Sequence, residues 1–518
     1  MDTEKRLLLV LAFSILAVVL YQRFISPPKK GKIPVQSTKV VKKLPVVKKA
    51  TQKPVNSSKV STHEADSLPL RVQPVKGKSR DIQFSFPSYR VVLSSKGGAV
   101  KSYLLTRHTN DKGQPVELVG GPGYFRYYIP GEITLTKVLN DSVYKVKVQK
   151  GEREKRVTFL LDLAKDGIRV EKTYIFHPDY RFDVAFKALL PGHREAEGML
   201  IGPKIAPKDR KSHYSFSGPL VFEGKKAIEV KLKKKDRETY GGFLWTSLQS
   251  LYFTATLVPK VPCKVLIWKG LTKGDYFLAL LGKEGRISFW SFMGPKEYSL
   301  LKSYGVKLEE NIRFGVFKII AKPALEALKF INGPIHNYGW AIIIITILIK
   351  IVFHPLTVKG YKSMNRMQEL QPYIKQLKKT YKDDPGAVNR EMMALYKKHK
   401  VNPMGGCLPM VLQIPVFFAL YKVLMVAIEL RHAPFIFWIT DLSAKDPYYI
   451  TPILMGLSML VQQKMTPMGD PTQAKMMMLM PIVFTFLFIN FPSGLVIYWL
   501  VNNLITIFEQ FLIKKVYA

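Results

Sequence analysis

The chain has 518 residues, 47% of them hydrophobic, and carries 79 Lys and Arg against 38 Asp and Glu, a formal charge of +41. Its two cysteines, Cys263 and Cys407, lie far apart and exclude a disulfide framework or a thiolate metal cluster. The length accommodates a folded domain beside a membrane region, and the positive balance points to anionic partners, either ribosomal RNA or lipid headgroups.

The first segment, "MDTEKRLLLVLAFSILAVVLYQRF", has a charged start and an apolar run. No small-x-small cleavage site follows it and no Cys ends it, so residues 1–26 read as an uncleaved transmembrane anchor. Residues 27–80 read as a flexible lysine-rich tether: Lys29 to Lys59 holds ten lysines and no acid among repeated Pro and Val, a composition that buries too little apolar surface to fold. From Asp81 the period changes to two. "IQFSFPSY", "SVYKVKVQ", "RVTFLLDL", "YRFDVAFKALL" and "KVLIWKG" alternate or run short and β-branched between turn residues. Residues 81–310 therefore read as a large β-sandwich.

Helical spacing returns at 311–335. Phe317, Ile320, Leu325, Leu328 and Ile331 fall on one side, with Lys318, Lys322, Glu326 and Lys329 largely on the other. The stripe fits a helix lying in the membrane interface, or an amphipathic helix packed on the sandwich. Residues 336–518 then carry five apolar runs, Tyr338 to Phe353, Cys407 to Leu430, Tyr448 to Val461, Met476 to Phe491 and Leu495 to Leu512. With their flanks most approach the roughly 20 residues that span hydrocarbon. Between the first two of these runs, residues 359–400 form a helical hairpin: a stripe of Met364, Met367, Leu370, Ile374 and Leu377, a break at "DDPG", and a second stripe through Met392 and Leu395. The fold class is thus an α-helical integral membrane protein, one N-terminal anchor plus a five-helix core bundle, with a large β-sandwich domain.

The hairpin carries eleven Lys and Arg against four acids, which assigns it to the cytoplasm and, by threading, puts the β domain outside and the N-terminus inside. The tether opposes this, since its lysines follow the first span. Long exported domains escape the charge rule more readily than short loops do, so the hairpin decides.

No G-x-x-x-x-G-K-[ST], H-E-x-x-H or G-x-S-x-G occurs, so neither a cofactor nor an enzymatic engine is expected. His177, His193 and His213 read as structural. The informative residues are polar ones inside apolar runs: Thr346 and Lys350, Gln413 and Lys422, Ser458, Gln462 and Gln463, and Asn502, Asn503, Thr506 and Glu509. Polar side chains at membrane depth face the bundle or water, and several helices contributing them implies one shared wet groove. A lysine near the bilayer centre costs roughly 2.5–3.5 kcal/mol. Lys350 therefore either snorkels toward His354 and Pro355, pairs with Glu509, or receives an acidic ligand. Lys422, close to its helix end, reads as snorkelling. Met364, Met367, Met392 and Met393 on the hairpin offer adaptable apolar contact.

Residues 330–513 resemble the YidC membrane protein insertases, in the Gram-negative type with a large periplasmic domain. The resemblance rests on "KVNPMGGCLPMVLQIPVFFALYKVL", "DLSAKDPYYI", "PILMGLSML", "FPSGLVIYWLVNN" and "EMMALYKKHK". It implies an inner-membrane insertase and chaperone with a groove open to cytoplasm and lipid and closed outside. Lys350 then occupies a place usually held by Arg, Thr346 is a substrate-contacting position, and Tyr498 and Trp499 supply the aromatic contact. Lys keeps the charge and loses the bidentate fork. The implied partners are nascent membrane proteins, the Sec translocon, the ribosome and signal recognition particle machinery, and membrane lipids, with ribosome contact expected to rest on the hairpin and the short loops because the tail ends at "IKKVYA". The β domain resembles sugar-mutarotase folds, which alone confers no activity. The competing reading is a secondary transporter or channel for a small anion bound at Lys350, though no inverted repeat supports it.

Overall fold

The structure, a computed structural model, describes residues 72–190, 197–205, 216–232, 236–272, 274–382, 384–401, 408–466 and 478–517. The expected anchor, most of the tether, His193, His213 and Cys407 lie outside the described residues.

The N-terminal half is antiparallel β-structure on one apolar core. A nine-stranded sheet runs in spatial order Ala227–Glu229, Gly218–Phe222, Trp245–Gln249, Phe253–Pro259, Arg286–Pro295, Arg181–Leu189, Ile168–Phe176, Lys155–Leu163, Lys145–Lys150. A five-stranded sheet (Arg237–Gly241, Lys264–Lys269, Tyr276–Gly282, Glu197–Ile201, Arg126–Tyr128) and a four-stranded one (Asp81–Ser85, Tyr89–Ser94, Ala99–Thr109, Pro115–Glu117) complete it. Sequence period and burial agree closely: in Ile168–Phe176 every second residue is buried. Val265, Ile267, Leu278 and Leu280 of the five-stranded sheet join the main core. Their neighbours Leu266, Ala279 and Leu281 form a small cluster on its other face.

Helix α1, Ile133–Asp141, interrupts this region, and its β-branched Ile133, Thr134, Thr136 and Val138 explain why helical spacing was not evident there. Asn140 anchors it, accepting from Tyr127 N and donating to Tyr127 O. The short α2, Tyr298–Ser303, leads to α3, Lys318–Ile335. On α3 the buried residues are Ala321, Leu325 and Leu328, whereas Ile319 and Phe330 are 86% and 83% exposed and Ile320 is exposed too. The helix is therefore apolar on two faces, one packed inward and one exposed, and Ile320 lies off the expected stripe.

Helix α4, Tyr338–Glu369, begins at the Asn337 cap, whose side chain accepts from Gly339 N and Trp340 N. It continues through Pro355 into the hairpin, so the second apolar run and the first hairpin stripe share one rod. The expected break near Asp383 is preceded by another at Leu370, where α5, Gln371–Thr380, starts with Pro372 in its first turn. Helix α6, Pro385–Lys398, returns, capped by Asp384. Helices α7 (Leu408–Val426), α8 (Ile450–Met465), α9 (Met480–Phe488) and α10 (Ser493–Tyr517) follow. Among the described residues α4 and α10 are long and apolar enough to cross a membrane, with a shorter apolar helix at Val411–Val426.

The segment between α7 and α8 binds the bundle at its β-domain end. Asn337 donates to Phe435 O. Asp446 accepts from Thr451 N, Thr451 Oγ1, Tyr448 N and Trp438 Nε1. Ser493 N and Gly494 N donate to Ala444 O and Leu442 O. The same segment holds the β domain: Arg431 donates to Thr109 O at 2.6 Å and lies over the Tyr252 and Phe253 rings. Lys329 of α3 bridges Glu297 and Glu429 at 3.1 and 3.3 Å, and one apolar core runs through both regions.

Inside the β domain, Lys172 donates to Gly97 O and Phe125 O and lies over the Tyr127 ring, whose hydroxyl donates to Glu197. Burial, helped by nearby Arg126, lowers the Lys172 ammonium to about 7. Burial raises Glu197 to about 7, opposed by the Tyr127 hydrogen bond. Between the usual carboxylate range and pH 7 the folded state holds the Glu197 proton that the unfolded chain has lost, so this contribution to stability falls as pH rises. Between pH 7 and the usual lysine range the unfolded chain holds the extra proton, so stability rises. Thermal unfolding of the detergent-solubilised chain should therefore show a minimum near neutrality. Glu197→Gln should flatten the limb below it and Lys172→Met the limb above it; parallel profiles for all three proteins would rule the assignment out.

Candidate functional site

Helices α4 and α10 run side by side, and spacing along each decides what meets. On α4, Thr346, Lys350 and His354 are four residues apart; on α10, Tyr498, Asn502, Thr506 and Glu509 repeat at four, four and three. Such intervals place each set on one helical face. Each row extends over roughly 12–17 Å at 1.5 Å per residue.

Lys350, 8% exposed, donates from Nζ to Thr506 Oγ1 at 2.6 Å. Thr506 in turn donates to Asn502 O at 2.7 Å. Glu509 Oε2 lies 3.9 Å from Lys350 Nζ, and Glu509 Oε1 accepts from His354 Nδ1 at 2.9 Å. One turn toward the β domain, Gln413 of α7 donates to the Asn502 side chain. Thr346 is buried and donates to Ile342 O, its own helix backbone. The seam thus joins three helices, with ammonium, carboxylate and imidazole at its hairpin end and neutral amides deeper in.

A second polar row on α10 faces α8: Asn503 donates to Ser458 and Gln510 to Thr466, both at 3.0 Å. Tyr498 and Trp499 belong to an aromatic cluster with Phe417, Phe484 and Phe488. Tyr498 stacks on Phe417 at 6.3 Å, and Trp499 meets it edge-on at 4.7 Å. Both cap the polar seam from the β-domain side.

The remaining expected residues separate. Lys422 does not reach outward: it is buried where Leu420, Tyr421, Val423 and Leu424 are also buried, so α7 has no lipid face there along which its stem could snorkel. Met367 and Met392 pack on Leu370, Ile374, Tyr396 and Val401, the hairpin's own small core. Met364 is half-buried and Met393 is 48% exposed. His354 and its contact with Glu509 were missed; the available signal was its position one turn beyond Lys350. Among the described residues no His, Cys, Asp and Glu group could hold a metal.

Residues 330–518 match the family described as 60Kd inner membrane protein, and residues 81–326 match the YidC periplasmic domain. The membrane protein insertase YidC of Syntrophus aciditrophicus (strain SB) is 40% identical over 99% of both chains. The chain belongs to the YidC family of membrane protein insertases. The YidC of Geobacter sulfurreducens (strain ATCC 51573 / DSM 12127 / PCA) is 43% identical over 83% of this chain and 85% of its own. That of Campylobacter jejuni (subsp. jejuni serotype O:2, strain ATCC 700819 / NCTC 11168) is 33% identical over 99% and 96%. The crystal structure titled "Active YidC insertase crystal structure with the first transmembrane domain resolved" is 18% identical, covering 86% of this chain and 95% of that one at a TM-score of 0.38. As a YidC-type inner-membrane protein with a periplasmic domain, the chain acts in membrane protein insertion, and the small-anion transporter reading has no support.

Among the described residues, Thr506 supplies the one hydrogen bond found for the Lys350 ammonium. Thr506→Val keeps the shape and removes the acceptor, and should lower stability by about 1–3 kcal/mol, the desolvation cost of a buried group left unpaired, while Thr506→Ser should stay near the parent. Unfolding in detergent followed by tryptophan fluorescence measures both, and a Val variant as stable as the parent would refute the role.

Proposed function

We propose that the α4–α10 seam is the substrate groove of this YidC-type insertase. A nascent single-span protein places its short, acidic N-terminal segment beside Lys350, Thr346, Gln413 and Asn502. Its apolar segment leaves past Tyr498 and Trp499 between α7 and α10 into lipid. The observation that carries this reading is the buried Lys350, hydrogen-bonded to Thr506 with Glu509 held back at 3.9 Å.

The energetics need no nucleotide. Apolar residues near the bilayer centre gain roughly 0.3–0.6 kcal/mol each, so a span of about 20 residues supplies several kcal/mol. A polar groove shortens the dry path for the tail. Longer or more highly charged tails exceed that gain and require the Sec translocon. In this reading the hairpin is cytoplasmic, receives substrate from the ribosome and signal recognition particle machinery, and offers Met364 and Met393 as adaptable apolar contacts. The β domain and the N-terminal anchor complete a chain whose N-terminus is cytoplasmic. The segment between α7 and α8, bonded to three helix starts, seals the groove at the periplasmic end.

Insertion of a short, acidic-tailed single-span protein into liposomes holding only this protein, scored by protease protection, tests the reading. Lys350→Leu should cut the inserted fraction about tenfold, the factor that some 1.4 kcal/mol of lost charge interaction converts to, and Lys350→Arg should retain most of it. Equal insertion by all three would remove the charge from the mechanism.

A further inference from the structure

The Lys350–Glu509 contact is incomplete in a specific way. At 3.9 Å it is an ion pair without a hydrogen bond. Glu509 is 6% exposed, yet its Oε2 accepts no hydrogen bond among the described residues. The reason lies on its other oxygen: Oε1 is taken by His354 Nδ1 at 2.9 Å. His354 sits at the lip of the seam with nearly half its side chain exposed, and it pulls the carboxylate toward the hairpin and away from the ammonium. A buried pair this loose is a poor stabiliser, since the desolvation of both ions is incompletely offset. Its geometry suits exchange, because Lys350 keeps donor capacity that a second carboxylate can fill.

We propose that Glu509 is an internal stand-in for the substrate's acidic residue, and that His354 sets how strongly it competes. In the resting protein Glu509 neutralises the field of Lys350 and lowers the cost of keeping the ammonium in the bundle. An arriving Asp or Glu takes the open donor position on Lys350, while Glu509 stays on His354. The two residues are thus specificity determinants for acidic over neutral tails. No covalent step is involved, and only the partner of one ammonium changes. This rests on the groove reading given above.

The test uses the full chain in liposomes and two single-span substrates that differ only by Asp or Asn in the tail, and it reads the ratio of their inserted fractions. Glu509→Gln removes the competitor and should raise the Asp/Asn ratio about fivefold, the factor that about 1 kcal/mol converts to. His354→Phe frees Glu509 to close on Lys350 and should lower the ratio below that of the parent. The opposite signs matter, because a merely structural pair would depress insertion of both substrates alike and leave the ratio unchanged. An unchanged ratio in both variants, or a lower ratio in Glu509→Gln, overturns the proposal; should Glu509→Gln fail to fold, His354→Phe at the exposed lip decides alone. If the parent inserts the Asp substrate no better than Lys350→Leu does, the groove reading itself fails and the proposal with it. A parent clearly better than Lys350→Leu with unmoved ratios defeats the proposal alone.

Discussion

The architecture of the helical half turns on the ammonium of Lys350, buried in a bundle built mostly from apolar side chains. A charge in that setting needs partners that arrive together with the fold. The partners come from a helix more than 150 residues away in the chain: Thr506 accepts a hydrogen bond and Glu509 supplies the opposite charge. Pairing α4 with α10 is therefore required by the lysine as well as by apolar contact. Around it neutral polar groups are satisfied in the same way, Gln413 with Asn502 and Asn503 with Ser458, so these polar residues help fix which helices are neighbours.

The two ends of the bundle are built differently. At the β-domain end, backbone and capping hydrogen bonds from the segment between α7 and α8 tie the starts of α4, α8 and α10, and aromatic rings fill the space between them. At the hairpin end the seam finishes in the buried carboxylate of Glu509 and the half-exposed imidazole of His354. An aromatic-filled end and a charged end make the polar seam asymmetric, the asymmetry that the proposed groove needs to admit a tail from one compartment without leaking to the other. Arg431 and Lys329 hold the β domain on the aromatic-filled end.

Much of this was legible from residue pattern alone. Apolar runs marked the sites of α4, α7, α8 and α10, and period-two alternation marked most long strands of the β domain, because both follow directly from which face must leave water. Lys350, Asn502, Thr506 and Glu509 stood out as polar residues in apolar runs. Glu509 was already one of the partners the sequence offered for Lys350, and the structure places it at 3.9 Å; the contacts with Thr506 and His354 were not evident, since nothing local to residue 350 encodes how a distant helix will lie beside it. Other misses have local causes. Helix α1 is rich in β-branched residues, and the Lys422 stem was judged by its distance from a helix end and not by what encloses it. The two-faced α3 defeated a single-stripe reading because its exposed apolar residues face away from the core.

The most direct measurement is zero-length carbodiimide coupling on an insertion intermediate arrested with its Asp-containing tail in the groove, with the linked peptides identified by mass spectrometry. The account predicts an amide between the tail Asp and Lys350 Nζ, abolished when the tail carries Asn. Coupling confined to the lysines of the hairpin, with Lys350 unmodified, would contradict it.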